Sequence, residues 1–152
     1  FLDRFGHLLT VSQQQKLDQI IAYYPKFADI FTQGTQTLTH WDYRVENIFY
    51  SADESEVAVI DWQLGLAHKP GWDLAYLLTT NIDVALRREI FEASVVQYQA
   101  GLCAAGIAYG TDKLMKNMRQ AMCAITCFSV VGGGNCDFEN ERWFKSLLKE
   151  GI

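Results

Sequence analysis

"LTHWDYRVENIFY", Leu38 to Tyr50, places His40, Asp42, Arg44 and Asn47 within eight residues between apolar flanks. A second stretch, "VAVIDWQ", Val57 to Gln63, carries an apolar run into Asp61. Between the two lies "SADESE", Ser51 to Glu56, a polar turn segment, while "NIFY" and "VAVIDW" are short runs of β-branched and aromatic residues. This pattern predicts a small β-hairpin. A hairpin sets the start of its first strand beside the end of its second, so Asn47 and Asp61 are expected to become neighbours.

That juxtaposition has a chemistry. An asparagine carbonyl and a carboxylate are hard oxygen ligands, suited to Mg²⁺ rather than zinc. Asp42 lies a few residues away on the same loop, close enough to accept a proton from a hydroxyl next to such a metal. Arg44 adds a cation able to neutralise charge on a transferring phosphoryl group. A base, metal ligands and a phosphate-facing cation are the parts of phosphoryl transfer.

Outward from the hairpin the chain reads as helix. Ser12 to Phe31 spaces Leu17, Ile20, Ile21, Tyr24, Phe27 and Phe31 as one amphipathic helix, with Ser12 as its cap and Gly34 beyond its end. After Pro70 and Gly71, helices are predicted at Trp72–Thr80, at Asp83 to about Ala105 with Asp83 as N-cap, and at Thr111–Val131. Gly132, Gly133 and Gly134 are expected to stop the third of these, and a last amphipathic helix to run from about Asp137 to Lys149. The expected fold class is α+β, mainly helical, in a single domain over residues 1–152.

Composition narrows the function classes. A chain of 152 residues is long enough for one domain with a real core. Its net charge of −5, with no run of Lys or Arg, argues against a nucleic-acid or anionic-membrane surface. The longest apolar run, Ala121 to Val131, is shorter than the ~20 residues that span a bilayer. Cys103, Cys123, Cys127 and Cys136 lack zinc-site spacing and read as small thiols in a reducing cytosol, which with no signal peptide points to a cytoplasmic protein. His7 and His68 have no chemical partners in sequence and receive no role.

"HWDYRVEN" followed after the hairpin by "IDWQ" resembles the catalytic loop and metal-binding segment of the aminoglycoside phosphotransferase and choline kinase group. Those enzymes share the protein-kinase-like fold and carry an H-G-D-x-x-x-x-N loop followed by an Asp-containing metal motif. "KPGWDLAYLL" is similar to their structural Asp and the helix after it. The resemblance implies the C-terminal lobe of a small-molecule kinase that moves the γ-phosphoryl of ATP (or GTP) to a substrate hydroxyl. It further implies Asp42 as catalytic base, Arg44 directed at the γ-phosphate, and Asn47 and Asp61 holding Mg²⁺ against the nucleotide. His40 would brace the loop and Asp73 anchor it.

Two departures matter. Trp41 stands where the family has glycine, which puts the tight loop geometry in question. No Gly-rich hairpin and no strand lysine of a nucleotide clamp can be found, so the N-terminal lobe is expected to be missing in cis and the chain alone to bind nucleotide weakly and be weakly active or inactive. These departures leave a second reading open, a non-catalytic remnant that keeps the lobe for binding or assembly. Neither the acceptor nor the oligomeric state is legible.

Overall fold

Pro25 divides the first long helical stretch. It has no N–H to give the preceding turn and its ring crowds that turn's carbonyl. The computed structural model, which describes residues 1–135, accordingly has α2 at Val11–Tyr23 and α3 at Pro25–Thr32 in place of one continuous helix. Its cap is also one turn-residue pair earlier than expected. Thr10, not Ser12, caps α2 in a capping box with Gln13, the Thr10 hydroxyl accepting from Gln13 N at 3.3 Å and the Gln13 side chain accepting from Thr10 N at 2.8 Å. A short helix α1, Leu2–Phe5, precedes it and buries Phe5 with Leu9 and Leu17.

Four short strands follow the helices. β1 (Thr37–Thr39) pairs antiparallel with β4 (Leu66–His68), and β2 (Ile48–Tyr50) pairs antiparallel with β3 (Val57–Val59). The β2–β3 pair is the hairpin read from the sequence. Its turn is closed by Asp53, whose carboxylate accepts from the Ser51 hydroxyl at 2.7 Å and the Ser55 hydroxyl at 2.8 Å. These bonds, that from Ser51 first, hold the Asp53 acid down at about 2. The β1–β4 pair was not expected from the sequence. It straps the segment before the catalytic-type loop to the segment after Asp61, with Thr37 opposite His68 and the Thr39 hydroxyl donating to Leu66 O at 3.1 Å.

The helical body consists of α4 (Trp72–Thr80), α5 (Val84–Ala104) and α6 (Thr111–Asn135). Asp83 caps α5, accepting from Ala85 N at 2.9 Å and Leu86 N at 3.1 Å. The core gathers Phe27 and Phe31 of α3, Trp72, Ala75 and Leu78 of α4, Val95 of α5, and Leu114, Met118 and Ile125 of α6. Gly71, at the head of α4, has φ +91°, and a Cβ there would stand 2.7 Å from Met118 Cγ and 2.9 Å from Leu114 Cδ1. Only glycine lets the chain turn into α4 this close to α6.

The triple glycine does not end α6. The helix continues through Gly132, Gly133 and Gly134 to Asn135. Each glycine costs roughly 1 kcal/mol against alanine in a helix interior, and here the N-terminal segment meets two of them, Gly133 and Gly134. Gly133 O accepts from Arg4 Nη1 at 3.2 Å, and a Cβ on Gly134 would lie 3.3 Å from Phe1 N. The bare helix surface is what admits the N-terminus. Cys136 and the helix expected over 137–149 lie outside the described residues.

Candidate active site

The loop between β1 and β2 is held by α4 rather than by its own strands. Trp72, Asp73 and Tyr76 lie on neighbouring turns of that helix, so their side chains can reach one surface together. Asp73 accepts from His40 N at 2.8 Å with Oδ2 and from Trp41 N at 3.0 Å with Oδ1. The Trp72 indole donates to Trp41 O at 3.3 Å. Just past the helix, Asn81 Oδ1 accepts from Val45 N at 3.0 Å. Burial raises the Asp73 acid above the ordinary carboxylate range, and the two backbone donors pull the other way.

His40 is fully buried. Its Nε2 lies 2.7 Å from Ile60 O, and since a carbonyl can only accept, Nε2 carries the proton. The histidine thus ties the loop to the residue before Asp61. Ile60 N in turn donates to Asn47 O at 3.0 Å, which extends the hairpin ladder to the two positions of interest. Asn47 is buried, and its Nδ2 donates to Asp42 O at 3.0 Å. That bond leaves Asn47 Oδ1 as an acceptor. Asp61 is exposed and left-handed, with φ 64° and ψ 50°, a region that aspartate enters more readily than most residues.

The Asp42 carboxylate is gripped on both sides. Oδ1 accepts from the Tyr76 hydroxyl at 2.8 Å, while Oδ2 makes a 3.4 Å ion pair with Arg44 Nε. Among the described residues that buried Nε has no hydrogen bond of good geometry, so the guanidinium is charge-paired without being saturated. Trp62, next to Asp61, donates from its indole to Val59 O at 2.9 Å and packs on the His40 ring at 4.8 Å. The sequence motifs point to His40, Asp42, Arg44, Asn47, Asp61 and Asp73, and the structure gathers all six around one loop, one hairpin and the start of α4. They do not point to Tyr76, Trp72 or Asn81. The available signal was helical spacing, because Tyr76 follows Asp73 by three residues.

Trp41 resolves the question raised by the missing glycine. Its φ is 76°, so it occupies the left-handed region that glycine would favour. Its indole stacks on Trp72 at 4.2 Å and 7°, with His68 at 5.1 Å and Phe128 at 5.9 Å. His68, given no role from sequence, is buried in this cluster. Burial is the largest cause holding its imidazole down at about 4, so it is neutral near pH 7. Beside the cluster is an apolar cavity of about 400 Å³, walled by Tyr24, Phe27, Phe31, Trp41, His68 and Phe128 among others. None of Asp42, Arg44, Asn47 or Asp61 lines it.

Trp41→Gly weighs two effects. Relief of the left-handed strain is worth roughly 1–2 kcal/mol. Loss of a stacked, half-buried indole costs more, about 3 kcal/mol, since fully buried Trp truncations cost roughly 3–5. A net destabilisation of about 1–2 kcal/mol is therefore expected in urea unfolding, and a variant more stable than the parent would show that strain dominates.

Comparison with protein families matches residues 7–106 to the model of the ecdysteroid kinase-like family. The match covers about two thirds of the chain and includes the loop, the hairpin and α4. The chain belongs to the ecdysteroid kinase-like family. That family is kinase-like, in agreement with the phosphotransferase resemblance of the loop and hairpin motifs. Neither the curated proteins nor the solved structures yield a significant match. Membership in this family, with a mainly helical fold and small antiparallel sheets, supports a kinase-like phosphotransferase. No helix among the described residues is long and apolar enough to cross a membrane.

Proposed function

We propose that this chain carries the catalytic C-terminal lobe of a small-molecule kinase, which transfers the γ-phosphoryl of ATP (or GTP) to a hydroxyl of an organic acceptor. The observation that carries the reading is the bridge from Asn47 through Ile60 to Asp61, set beside a carboxylate, Asp42, that α4 holds in place. Asp42 takes the hydroxyl proton as the acceptor oxygen bonds to the γ-phosphorus. The bond from that phosphorus to the β–γ bridging oxygen breaks, and the nucleoside diphosphate departs with the electron pair. Arg44, 42% exposed and incompletely hydrogen-bonded, can turn from Asp42 to the transferring group and offset its charge.

Asn47 and Asp61 fit Mg²⁺ as two hard oxygen donors on adjoining strand ends. Among the described residues no group of three His, Cys, Asp or Glu could enclose a metal, and Mg²⁺ commonly completes its shell with phosphate oxygens and water. Bound there, the ion would neutralise phosphate charge. The family description names an ecdysteroid, so a steroid alcohol is the first acceptor to test.

The test is phosphorus-31 NMR of the full-length protein, nucleotide-binding lobe included, with MgATP or MgGTP and a panel of alcohols that includes an ecdysteroid. A phosphomonoester resonance that appears at the expense of the γ-phosphate, and that EDTA abolishes, is the expected result. A folded protein that forms no phosphomonoester with any acceptor would favour the non-catalytic reading.

A further inference from the structure

We propose that Tyr76 is a positioning residue for Asp42, aiming its carboxylate by a hydrogen bond from the α4 helix. The inference rests on the phosphotransferase reading of Asp42 and adds a residue that no motif of the loop contains.

Four of the contacts α4 and the residue after it make to the loop are to backbone: His40 N and Trp41 N on Asp73, Trp41 O on Trp72, and Val45 N on Asn81. Any of these could serve loop shape alone. The fifth differs in kind. The Tyr76 hydroxyl reaches past the backbone to Asp42 Oδ1 at 2.8 Å, the length of a good O–H···O bond. The loop itself supplies Asp42 with contacts at its main chain, Asn47 Nδ2 and Arg44 N each donating to its carbonyl oxygen at 3.0 Å. Among the described residues its carboxylate is held by Tyr76 and by Arg44 alone, and Arg44 is the half-exposed and weaker of the two at 3.4 Å.

The two contacts divide the carboxylate's work. Oδ1 is fixed on a rigid helix by a phenol with only two side-chain torsions. Oδ2 faces the partly exposed guanidinium, and becomes the free acceptor once Arg44 turns toward a phosphoryl group. An unfixed carboxylate would instead rotate into a two-pronged pair with Arg44, the geometry this pair of groups favours, and neither oxygen would be open. Tyr76 therefore prevents a self-inhibiting ion pair. The phenol suits this task because it stays a donor: burial first, then the hydrogen bond to Asp42 and its charge, push its proton loss well above the usual range.

The bland reading is that a half-buried tyrosine hydroxyl simply found a partner, as buried tyrosines do. Tyr76→Phe separates the two, because it keeps the ring and removes only the donor. Turnover with MgATP and the acceptor that the phosphorus assay identifies should fall about tenfold in Tyr76→Phe at an unchanged KM for ATP. 3-Fluorotyrosine at position 76 is the second variant. It preserves the fit and keeps the donor, so turnover should return to the parent's.

Turnover that falls equally in both variants would overturn the proposal. So would a Tyr76→Phe protein of parental turnover. If that outcome accompanies an inactive Asp42→Ala, the role of Tyr76 falls alone. If Asp42→Ala is itself active, the phosphotransferase reading falls first and takes this proposal with it.

Discussion

Asp42→Ala is expected to lower phosphoryl-transfer turnover by about 10³-fold, the middle of the range for losing a positioned general base, in a protein that still folds. The substitution strips Tyr76 of its acceptor and Arg44 of its ion pair. The Arg44 side chain is 42% exposed, and an ion pair of this kind is worth at most about 1 kcal/mol. The half-buried Tyr76 hydroxyl loses about 1 kcal/mol. Activity and stability should therefore separate: a large fall in kcat beside a shift of only a few degrees in Tm. Asp61→Ala should show the same separation, with about 1 kcal/mol lost to alanine at a left-handed φ of 64°, since Asp61 is exposed and makes no side-chain bond that the fold needs among those observed. Turnover near the parent's in Asp42→Ala would remove the central residue of the reading.

Asp73→Ala should behave in the opposite way, striking the fold first. It leaves two loop N–H groups, on His40 and Trp41, without their acceptor, and His40 is fully buried. Each orphaned donor costs roughly 1–3 kcal/mol, and removing a carboxylate whose own burial is unfavourable returns part of that. A net loss of about 3 kcal/mol is expected in urea unfolding. The backbone consequence is specific, because Asp73 is the side chain that holds Trp41 N while Trp41 sits at φ 76°. Without it the left-handed turn has only the Trp72 indole bond and the ring stack to sustain it, and the loop that orients Asp42 loosens. Asp73→Asn cannot restore both bonds, since one of its two amide atoms is a donor. An Asp73→Ala protein within about 0.5 kcal/mol of the parent, the range of neutral surface changes, would mean that the loop is anchored elsewhere.

The contrast between these variants reflects what was readable. Asp42, Asn47 and Asp61 could be grouped from sequence because a hairpin is local. Its turn residues and alternating strands dictate which ends meet, and the observed register, Ile48 opposite Val59, follows that logic. The α4 boundaries and the Asp83 cap were legible for the same reason, as local signals at element ends. The β1–β4 pair was not. Three residues, Thr37–Thr39, carry too little pattern to declare a strand, and their partners lie about thirty positions away. The break at Pro25 was written plainly in the chain and was overridden by an apolar spacing that runs across it.

The sequence by itself determined the polar kit and its order: two carboxylates, an amide and a guanidinium, delivered by one loop and one hairpin. Only the tertiary structure decided how that kit is aimed. Tyr76 on the Asp42 carboxylate, Asp73 beneath two loop amides, and Trp72 stacked under a left-handed Trp41 join positions about 31 to 34 residues apart. Trp41 shows the limit most clearly. From sequence, a bulky residue in glycine's place predicts trouble, because the φ/ψ rules for a single residue are all that can be consulted. In the fold the same residue keeps glycine's backbone angle, and the aromatic stack that its side chain makes with Trp72 offsets the strain.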